Sequence, residues 1–271
     1  MHFKSKEIQL QYQGFENTKL LWFNTLNKLN QITDIQNDYT SLSQLKIDGN
    51  PRLGKLVEQF VFYQFSKDER IEIITENLQI QNDKITVGEI DCLLLENKQP
   101  VHLEIVYKFY LYDASVGSSE IDHWIGPNRN DSFRQKHDKL IQKQLPLLYH
   151  EKTVEAISKY NLDPRDIIQK VYFKAQLYPH LNDYKKEFPI INNECIEGFY
   201  IYRKELKEYA NAKFYIPTKH NWLVKPHYDV GWLNYDTFEE KLDIFLQKKS
   251  SPLCWLKKAN GELFKIFIVW W

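Results

Sequence analysis

The sequence has few cysteines, and they follow no pairing pattern. Cys92, Cys195 and Cys254 are odd in number, lie far apart in a chain of 271 residues and form no CxxC motif. This spacing favours neither a disulfide framework nor a cysteine zinc site. Cys92 lies in an apolar run, as a small core residue commonly does.

The chain also lacks net charge and long apolar runs. It has 36 basic and 36 acidic side chains, so the whole molecule is not expected to attract nucleic acid or membranes electrostatically, and any basic surface must be local. No stretch approaches the roughly 20 apolar residues of a membrane span, and no apolar run near the N-terminus is suited to a signal sequence. We therefore expect a cytoplasmic protein without membrane association.

What the chain does contain is enough apolar material for a substantial core. Hydrophobic residues make up 43% and aromatic residues 15% of the sequence, which excludes disorder as the overall state. Helical spacing of leucines predicts a helix over 18–29, and the polar run 34–50 predicts a loop. The sequence predicts an N-terminal helical extension over 1–50, a core over 51–180 and an aromatic, strand-rich C-terminal extension over 181–271.

The stretch 84–113 carries acids inside two apolar runs that are separated by a polar turn ending in Pro100. This pattern predicts an antiparallel hairpin. Side chains alternate along a strand, so Glu89 and Asp91 share a face with Ile85 and Val87 in the first strand. A carboxylate inside a sheet is costly unless it is paired or bound to a metal, so the hairpin is a candidate site.

In the second strand of the hairpin, Glu104 and Lys108 share one face by the same alternation. A second interpretation of the hairpin is an edge structure whose acids face water and whose Glu104 and Lys108 form an ordinary surface pair. The sequence pattern leaves both interpretations open.

Helical and strand signals on both sides of the hairpin predict a mixed sheet flanked by helices. An apolar stripe predicts a helix over 52–65, with Glu58 beside the stripe. A strand is predicted over 71–81, a helix from Asp131 or Ser132 to about Leu145, and a further strand over 171–178. Glu58 could equally be a solvated helical residue, and the lysines of the later helix could form an ordinary solvated face.

This order, α-β-β-β-α-β with acids on the first helix and on the second and third strands, resembles the PD-(D/E)XK nuclease superfamily. The motifs are LGKLVEQF, GEID, HLEIVYKFYL, WIGPNRND and KLIQKQLPL, within roughly residues 50 to 150. Together they also look like a bacterial family described as a domain of unknown function within that superfamily. The resemblance implies an α/β (α+β) fold with a restriction-endonuclease-like core, and metal-dependent hydrolysis of phosphodiester bonds in DNA.

The resemblance assigns roles to individual acids. Glu58, Asp91 and Glu104 match the catalytic acids and would bind Mg²⁺ or Mn²⁺, with Glu89 as an accessory acid. The superfamily lysine normally stands two residues after the strand acid. Val106 holds that position here, and the lysine is Lys108, two residues further along the strand. The resemblance implies that Lys108 would orient the attacking water or offset developing charge, and we expect its ammonium to reach Glu104 or Asp91. The alternative is that Lys108 turns to solvent and that Lys139 or Lys143 supplies the charge.

The resemblance also indicates residues around the acids. Gln144 matches a helical glutamine found in some branches of the superfamily and is a second accessory residue. Contacts with substrate phosphates are expected from the loop and helix after the sheet, namely from His123, Asn128, Arg129, Lys139 and Lys143. The alternative role for the three loop residues is loop architecture.

Two functions remain open at this point. The first is a DNA nuclease. The second is a catalytically degenerate fold that serves as a nucleic-acid or protein binding module, which Val106 and the zero net charge favour. Acid side chains that converge on one point would favour the enzyme, whereas scattered or lysine-neutralised carboxylates would favour the binding module.

Overall fold

The computed structural model describes residues 2–33, 35, 47 and 49–271, which form a mixed α/β protein. The loop predicted between Asp34 and Asn50 lies almost entirely outside the described residues. Up to the third long strand, the elements in chain order are α1 (His2–Asn17), β1 (Thr25–Leu26), β2 (Leu29–Asn30), α2 (Leu53–Phe65), β3 (Ile71–Asn82), β4 (Ile85–Glu96) and β5 (Gln99–Tyr112). The elements after β5 include α3 (Glu120–His123), β6 (Trp124–Ile125), α4 (Phe133–Lys139), a π-helical turn (Leu140–Gln144), a 3-10 helix (Leu145–Tyr149), α5 (Glu151–Ser158), β7 (Ile168–Tyr178), β8 (Gly198–Tyr202), β9 (Lys213–Tyr215), α6 (Tyr235–Gln247), β10 (Leu253–Lys257) and β11 (Leu263–Val269).

The chain forms two compact units, and each is assembled from separate segments. Unit 1 contains Met1–Lys19, Lys108–Arg134 and Ala175–Trp271, and unit 2 contains Leu20–Tyr107 and Gln135–Lys174. β5 and β7 each contribute residues to both units. The expected division into three segments, with boundaries at residues 50 and 180, stays a prediction.

The predicted hairpin is confirmed. β4 and β5 pair antiparallel, from Glu96 opposite Gln99 to Cys92 opposite Leu103. The sheet has the strand order β3-β4-β5-β6, and β7 also pairs with β5. The turn between β4 and β5 places Asn97 and Lys98 in the left-handed region, with φ of 50° and 70°.

The pairing of β3 with β4 contains an irregularity that corrects one expectation from the sequence. Gln79 lies opposite Glu89 and Gln81 lies opposite Thr86, so β4 carries one extra residue, Val87, between these pairs. The extra residue shifts the alternation, and Thr86 rather than Ile85 shares the face of Glu89. The predicted common face for Ile85, Val87, Glu89 and Asp91 is therefore wrong, and the Ile85 side chain is 72% exposed.

The helix α2 follows the predicted apolar stripe. Leu56, Val57, Phe60, Val61 and Phe65 are all buried, so the opposite side of the helix is left for polar residues. In unit 2, a cluster of buried apolar residues packs between β4 and the helices after the sheet. Its buried members are Ile90, Leu93, Leu148, Ile157 and Ile167.

The helix predicted over 18–29 is wrong. The helix α1 ends at Asn17, and β1 and β2 form a short antiparallel pair beyond it. Asn24, Asn27 and Lys28 adopt positive φ values of 55°, 46° and 73°, which an α-helix does not allow. Asparagine tolerates this conformation well, so the turn chemistry prevails over the helical spacing of the leucines.

The C-terminal third contains the predicted strands. In unit 1, a four-stranded sheet has the order β8-β11-β10-β9 and packs with α6 around a buried cluster. Phe214 and Phe238 stack within it at a centroid distance of 4.1 Å. No helix in the described part of the chain combines the length and apolar content needed to cross a membrane.

Candidate active site

Two acids meet where the ladder between β4 and β5 ends. The last paired residues are Cys92 and Leu103, and Asp91 and Glu104 follow directly on the two strands. The Ile105 backbone N–H donates to Asp91 Oδ2 at 2.9 Å, so this side chain provides an acceptor just beyond the last ladder pair. The end of the ladder thus fixes the carboxylate of Asp91 against the β5 backbone.

Glu104 is 0% exposed, and several groups share its carboxylate. His102 Nε2 lies 3.1 Å from Glu104 Oε1, and Gln144 Nε2 donates to Glu104 Oε2. The backbone and side chain of Asp91 also form hydrogen bonds with Glu104. Glu104 is therefore a buried, fully engaged carboxylate, and the interpretation of this hairpin as a water-facing edge does not hold for it.

The hydrogen bonds around His102 define its tautomer. Gln169 Nε2 lies 3.1 Å from His102 Nδ1, and an amide nitrogen can only donate, so Nδ1 is the acceptor. The proton then resides on Nε2 and is donated to Glu104. Burial lowers the pKa of His102 to about 4, which keeps the ring neutral near pH 7.

Burial raises the pKa of both acids, and the charge of Glu104 adds to this effect at Asp91. Burial, followed by the charge of Glu104, raises the pKa of Asp91 to about 7. Burial raises the pKa of Glu104 to about 7 as well, against the opposing effects of Lys136 and of hydrogen bonds with Asp91. Burial thus disfavours the ionised form of both carboxyl groups, and the pair is best described as one coupled unit.

The helical segment after the sheet provides the positive charge. Lys136 Nζ donates to Gln144 Oε1 at 2.7 Å, and the amide nitrogen of Gln144 donates to Glu104. Gln144 therefore connects Lys136 to Glu104 by two hydrogen bonds. Gln144 is the last residue of the π-helical turn, a feature that is frequent at functional sites. The charge of Lys139 also lowers the pKa of Glu104, while Lys143 is exposed on the same turn.

The third acid, Glu58, is paired with a lysine of its own helix. Lys55 Nζ lies 2.7 Å from Glu58 Oε2, 2.9 Å from Glu89 Oε1 and 2.8 Å from Asn77 Oδ1. Burial nevertheless raises the pKa of Glu58, and the charges of Asp91 and Glu89 contribute in the same direction. Glu58 thus interacts electrostatically with Asp91 while its direct partner is Lys55.

The donor set suits a divalent cation in part. Across the described ranges, no three His, Cys, Asp or Glu side chains are grouped closely enough to form a metal site by themselves. Mg²⁺ is commonly held by one or two carboxylates, with waters and substrate phosphates completing its coordination. Asp91 and Glu104 supply two hard oxygen donors whose mutual repulsion a cation would relieve. Asp91 and Glu104 are thus the residues that could hold Mg²⁺ or Mn²⁺, and Glu104 would exchange a present hydrogen bond for the cation.

The structure corrects the role expected for Lys108. We expected its ammonium to pair with Glu104 or Asp91, but in unit 1 it pairs with Asp131 Oδ2 at 2.6 Å, so this expectation is wrong. Strand alternation fixes the face of a side chain but not its partner. Val106, at the usual lysine position, is 4% exposed and serves as packing.

The three loop candidates make structural contacts within unit 1. His123 Nδ1 lies 2.7 Å from the Val116 carbonyl oxygen, and Asn128 Oδ1 accepts from the Ser251 backbone at 2.8 Å. Arg129 pairs with Asp113 at 2.9 Å and lies 4.4 Å from the ring centre of Trp271. These contacts match the loop-architecture interpretation, and a substrate role for His123, Asn128 and Arg129 stays a prediction.

Four residues around the acids were not expected from the sequence. Lys55 stands three positions before Glu58 on a helix, and His102 shares the strand face of Glu104, so spacing alone could have indicated both. Lys136 was visible only as part of a basic helical face. Gln169 lies 67 positions from His102, and no local pattern indicates its contact.

Comparison with known proteins gives a family but no described relative. No curated protein and no solved structure matches the chain. The family model described as "Domain of unknown function (DUF1853)" matches residues 5–269 of 271. A match over nearly the whole length shows membership, and the protein therefore belongs to the DUF1853 family.

Proposed function

We propose that this protein is a metal-dependent phosphodiester hydrolase that acts on DNA through a PD-(D/E)XK-like site. The observation that carries the proposal is the buried Asp91–Glu104 pair at the end of the β4–β5 ladder. Neighbouring buried carboxylates with raised pKa values are concentrated at functional sites. His102, which contacts Glu104, stays neutral near pH 7 and therefore does not offset the charge of the pair.

The arrangement of elements supports the same proposal. Along the chain, α2 is followed by β3, β4 and β5; α4 and its π-helical turn come after α3 and β6, and β7 comes after α5. The acids lie on α2, β4 and β5, and Gln144 lies on the helical segment after the sheet. With α3, β6 and α5 left aside, this succession is compatible with the order that the resemblance implies.

A bound Mg²⁺ or Mn²⁺ would supply neutralisation of the phosphate charge and activation of a water molecule. Asp91 and Glu104 would hold the cation, and Glu58 would contribute directly or through water. His102 and Gln144 each fix one oxygen of Glu104, and such supporting hydrogen bonds commonly orient metal ligands. Lys136 takes over the role expected for Lys108, because its charge acts on both Asp91 and Glu104.

DNA is the proposed substrate because its phosphates need positive charge close to the acids. Lys136, Lys139 and Lys143 follow one another along a single helical segment that reaches Glu104 through Gln144. Lysines of this kind make contacts with phosphates, which position a nucleic acid without reading its sequence. The zero net charge of the chain is compatible with such a local surface.

A second candidate function is a degenerate fold that binds nucleic acid or protein without cleavage. The observation that favours it is Lys55, whose ammonium neutralises Glu58 and Glu89. Val106, which stands at the usual lysine position, also favours this second function. The four acids thus fall into two groups: Asp91 and Glu104 lie together and are buried, while Glu58 and Glu89 are paired with Lys55.

A cleavage assay with Mg²⁺ and Mn²⁺ on single-stranded, double-stranded and branched DNA tests the proposal. Asp91→Asn should abolish cleavage, because the amide keeps an acceptor for Ile105 but loses the charge that holds the cation. The matched control is Asp163→Asn, which alters an exposed acid paired with Arg165. Cleavage that survives Asp91→Asn would reject the site, and DNA binding without any cleavage would favour the binding module.

A further inference from the structure

Three elements direct oxygen atoms at the ammonium of Lys55. Glu58 Oε2 belongs to α2, Asn77 Oδ1 to β3 and Glu89 Oε1 to β4, at 2.7, 2.8 and 2.9 Å from Lys55 Nζ. A lysine ammonium has three N–H donors, so every donor has an acceptor. The lysine therefore occupies a position enclosed by hard oxygen atoms, the ligand type that divalent cations also prefer.

The carboxylates around Lys55 are part of the proposed site. Glu58 is one of its three acids and interacts electrostatically with Asp91 and Glu89. The second oxygen of Glu89 accepts from Gln79, so that carboxylate is held in place without the lysine. Removal of the ammonium would leave Glu58 and Glu89 as two negative groups close to the Asp91–Glu104 pair.

The ammonium of Lys55 is able to leave. Its side chain is 51% exposed, so water competes for the ammonium, while the side chains of Glu58 and Glu89 are 15% and 28% exposed. The lysine side chain is also long and flexible, and its charge can follow a new anion. The phosphates of a bound nucleic acid would provide such an anion.

We propose that Lys55 is an internal competitor of the divalent cation. Its ammonium neutralises Glu58 and Glu89 in the cation-free protein, and cation entry displaces it toward a substrate phosphate. This inference rests on the proposed function and adds a form of regulation to it. One consequence is coupling, since nucleic acid that attracts Lys55 makes the carboxylates available, and each ligand then tightens the binding of the other.

The test is titration of Mn²⁺ into the full-length protein without nucleic acid, with free Mn²⁺ counted by electron paramagnetic resonance. Lys55→Met should lower the Kd for Mn²⁺ by about tenfold, because it removes one positive charge next to the carboxylates. Lys55→Arg keeps the charge and should bind Mn²⁺ like the wild type. The matched control is Lys152→Met, since Lys152 pairs with Glu155 at the same i,i+3 helical spacing.

A second titration measures the coupling with a cleavage-resistant phosphorothioate DNA duplex. The duplex should tighten Mn²⁺ binding in the wild type, and this effect should shrink in Lys55→Met. Circular dichroism spectra of all variants check that they are folded.

The outcomes separate the inference from the proposed function. Tighter Mn²⁺ binding in Lys55→Met, lost again when Asp91→Asn is added, supports both. Equal or weaker binding in Lys55→Met, with binding in the wild type, overturns the role of Lys55 and leaves the proposed site intact. Binding in Lys55→Met but not in the wild type supports the inference in its strongest form, and no binding in either protein overturns both.

Discussion

Asp91→Asn should stabilise the cation-free protein in a pH-dependent way. Burial and the charge of Glu104 raise the pKa of Asp91 from 3.8 to about 7, and the pKa of Glu104 rises from 4.5 to about 7. Between about pH 4 and about pH 7, the folded protein therefore holds a proton that the unfolded chain has released. The stability that this proton provides is fully present below about pH 4 and is lost as the pH rises through about 7.

The magnitude follows from the number of protons involved. One extra proton in the folded state changes the unfolding free energy by about 1.4 kcal/mol per pH unit. Asp91 accounts for one such proton, which gives a loss of about 3 kcal/mol over the roughly two units from about pH 5 to about pH 7. The amide introduced by Asp91→Asn cannot ionise, so the variant avoids this loss, whereas the effect of burial on Glu104 remains in both proteins.

Chemical denaturation in the presence of EDTA measures the effect, at about pH 5 and about pH 8. The stability of the variant minus that of the wild type should grow by about 3 kcal/mol between the two conditions. The comparison uses the difference between variant and wild type rather than either stability alone, because the lowered pKa of His102 changes stability with pH in the opposite direction. Its pKa is lowered from 6.5 to about 4, so its contribution to stability rises with pH over that interval in both proteins.

Asp163→Asn is the control for this experiment. Hydrogen bonds from Arg165 lower the pKa of Asp163 to about 2, so this acid is ionised at both conditions and its removal should have the same effect at each. A variant-minus-wild-type difference for Asp91→Asn that is equal at the two pH values would refute the description of Asp91 as a buried acid whose pKa the charge of Glu104 raises further.

Other predictions concern the cation, the lysines and the packing. Mg²⁺ should raise the melting temperature of the wild type in differential scanning fluorimetry but not that of Asp91→Asn, because a ligand that binds only the folded state stabilises it. If the site cleaves DNA, steady-state kinetics should show that Lys136→Met lowers kcat more than it raises KM, whereas Lys108→Ala should leave kcat close to the wild-type value. Full activity in Lys136→Met would exclude it as the site lysine. Gly14→Ala should destabilise by about 2 kcal/mol or more in urea denaturation, because an added Cβ would lie 2.0 Å from the Leu223 carbonyl oxygen, and a wild-type midpoint would contradict this.

The sequence predicted the elements whose patterns are local. The apolar stripe of α2 and the polar turn between β4 and β5 indicated the helix and the hairpin, since each is encoded within about a dozen residues. The helix expected over 18–29 failed because its leucines share a segment with Asn24 and Asn27, whose left-handed backbone stops a helix. Spacing alone does not report such competition between signals.

The site was predicted less completely than the fold elements. Asp91 and Glu104 were expected to lie together, and they do, because they stand on neighbouring strands of one hairpin. The extra residue Val87 in β4 could not be seen, since a bulge changes alternation without changing composition. The partners of the lysines could not be predicted from the sequence either, because a long flexible side chain pairs with whichever acid the tertiary fold places nearby.

The π-helical turn between Leu140 and Gln144 makes the site depend on residue count as well as residue identity. A π-helical turn contains one residue more than an α-helical turn, so side chains beyond it are rotated by about 100° relative to an uninterrupted α-helix. Deletion of a single residue from this turn would restore the α-helical pitch and rotate the amide of Gln144 away from Glu104. Lys136 lies before the turn and would keep its direction, so the contact between Lys136 and Glu104 through Gln144 would be broken at its middle member. One residue of chain length thus decides whether the helix after the sheet is connected to the carboxylates.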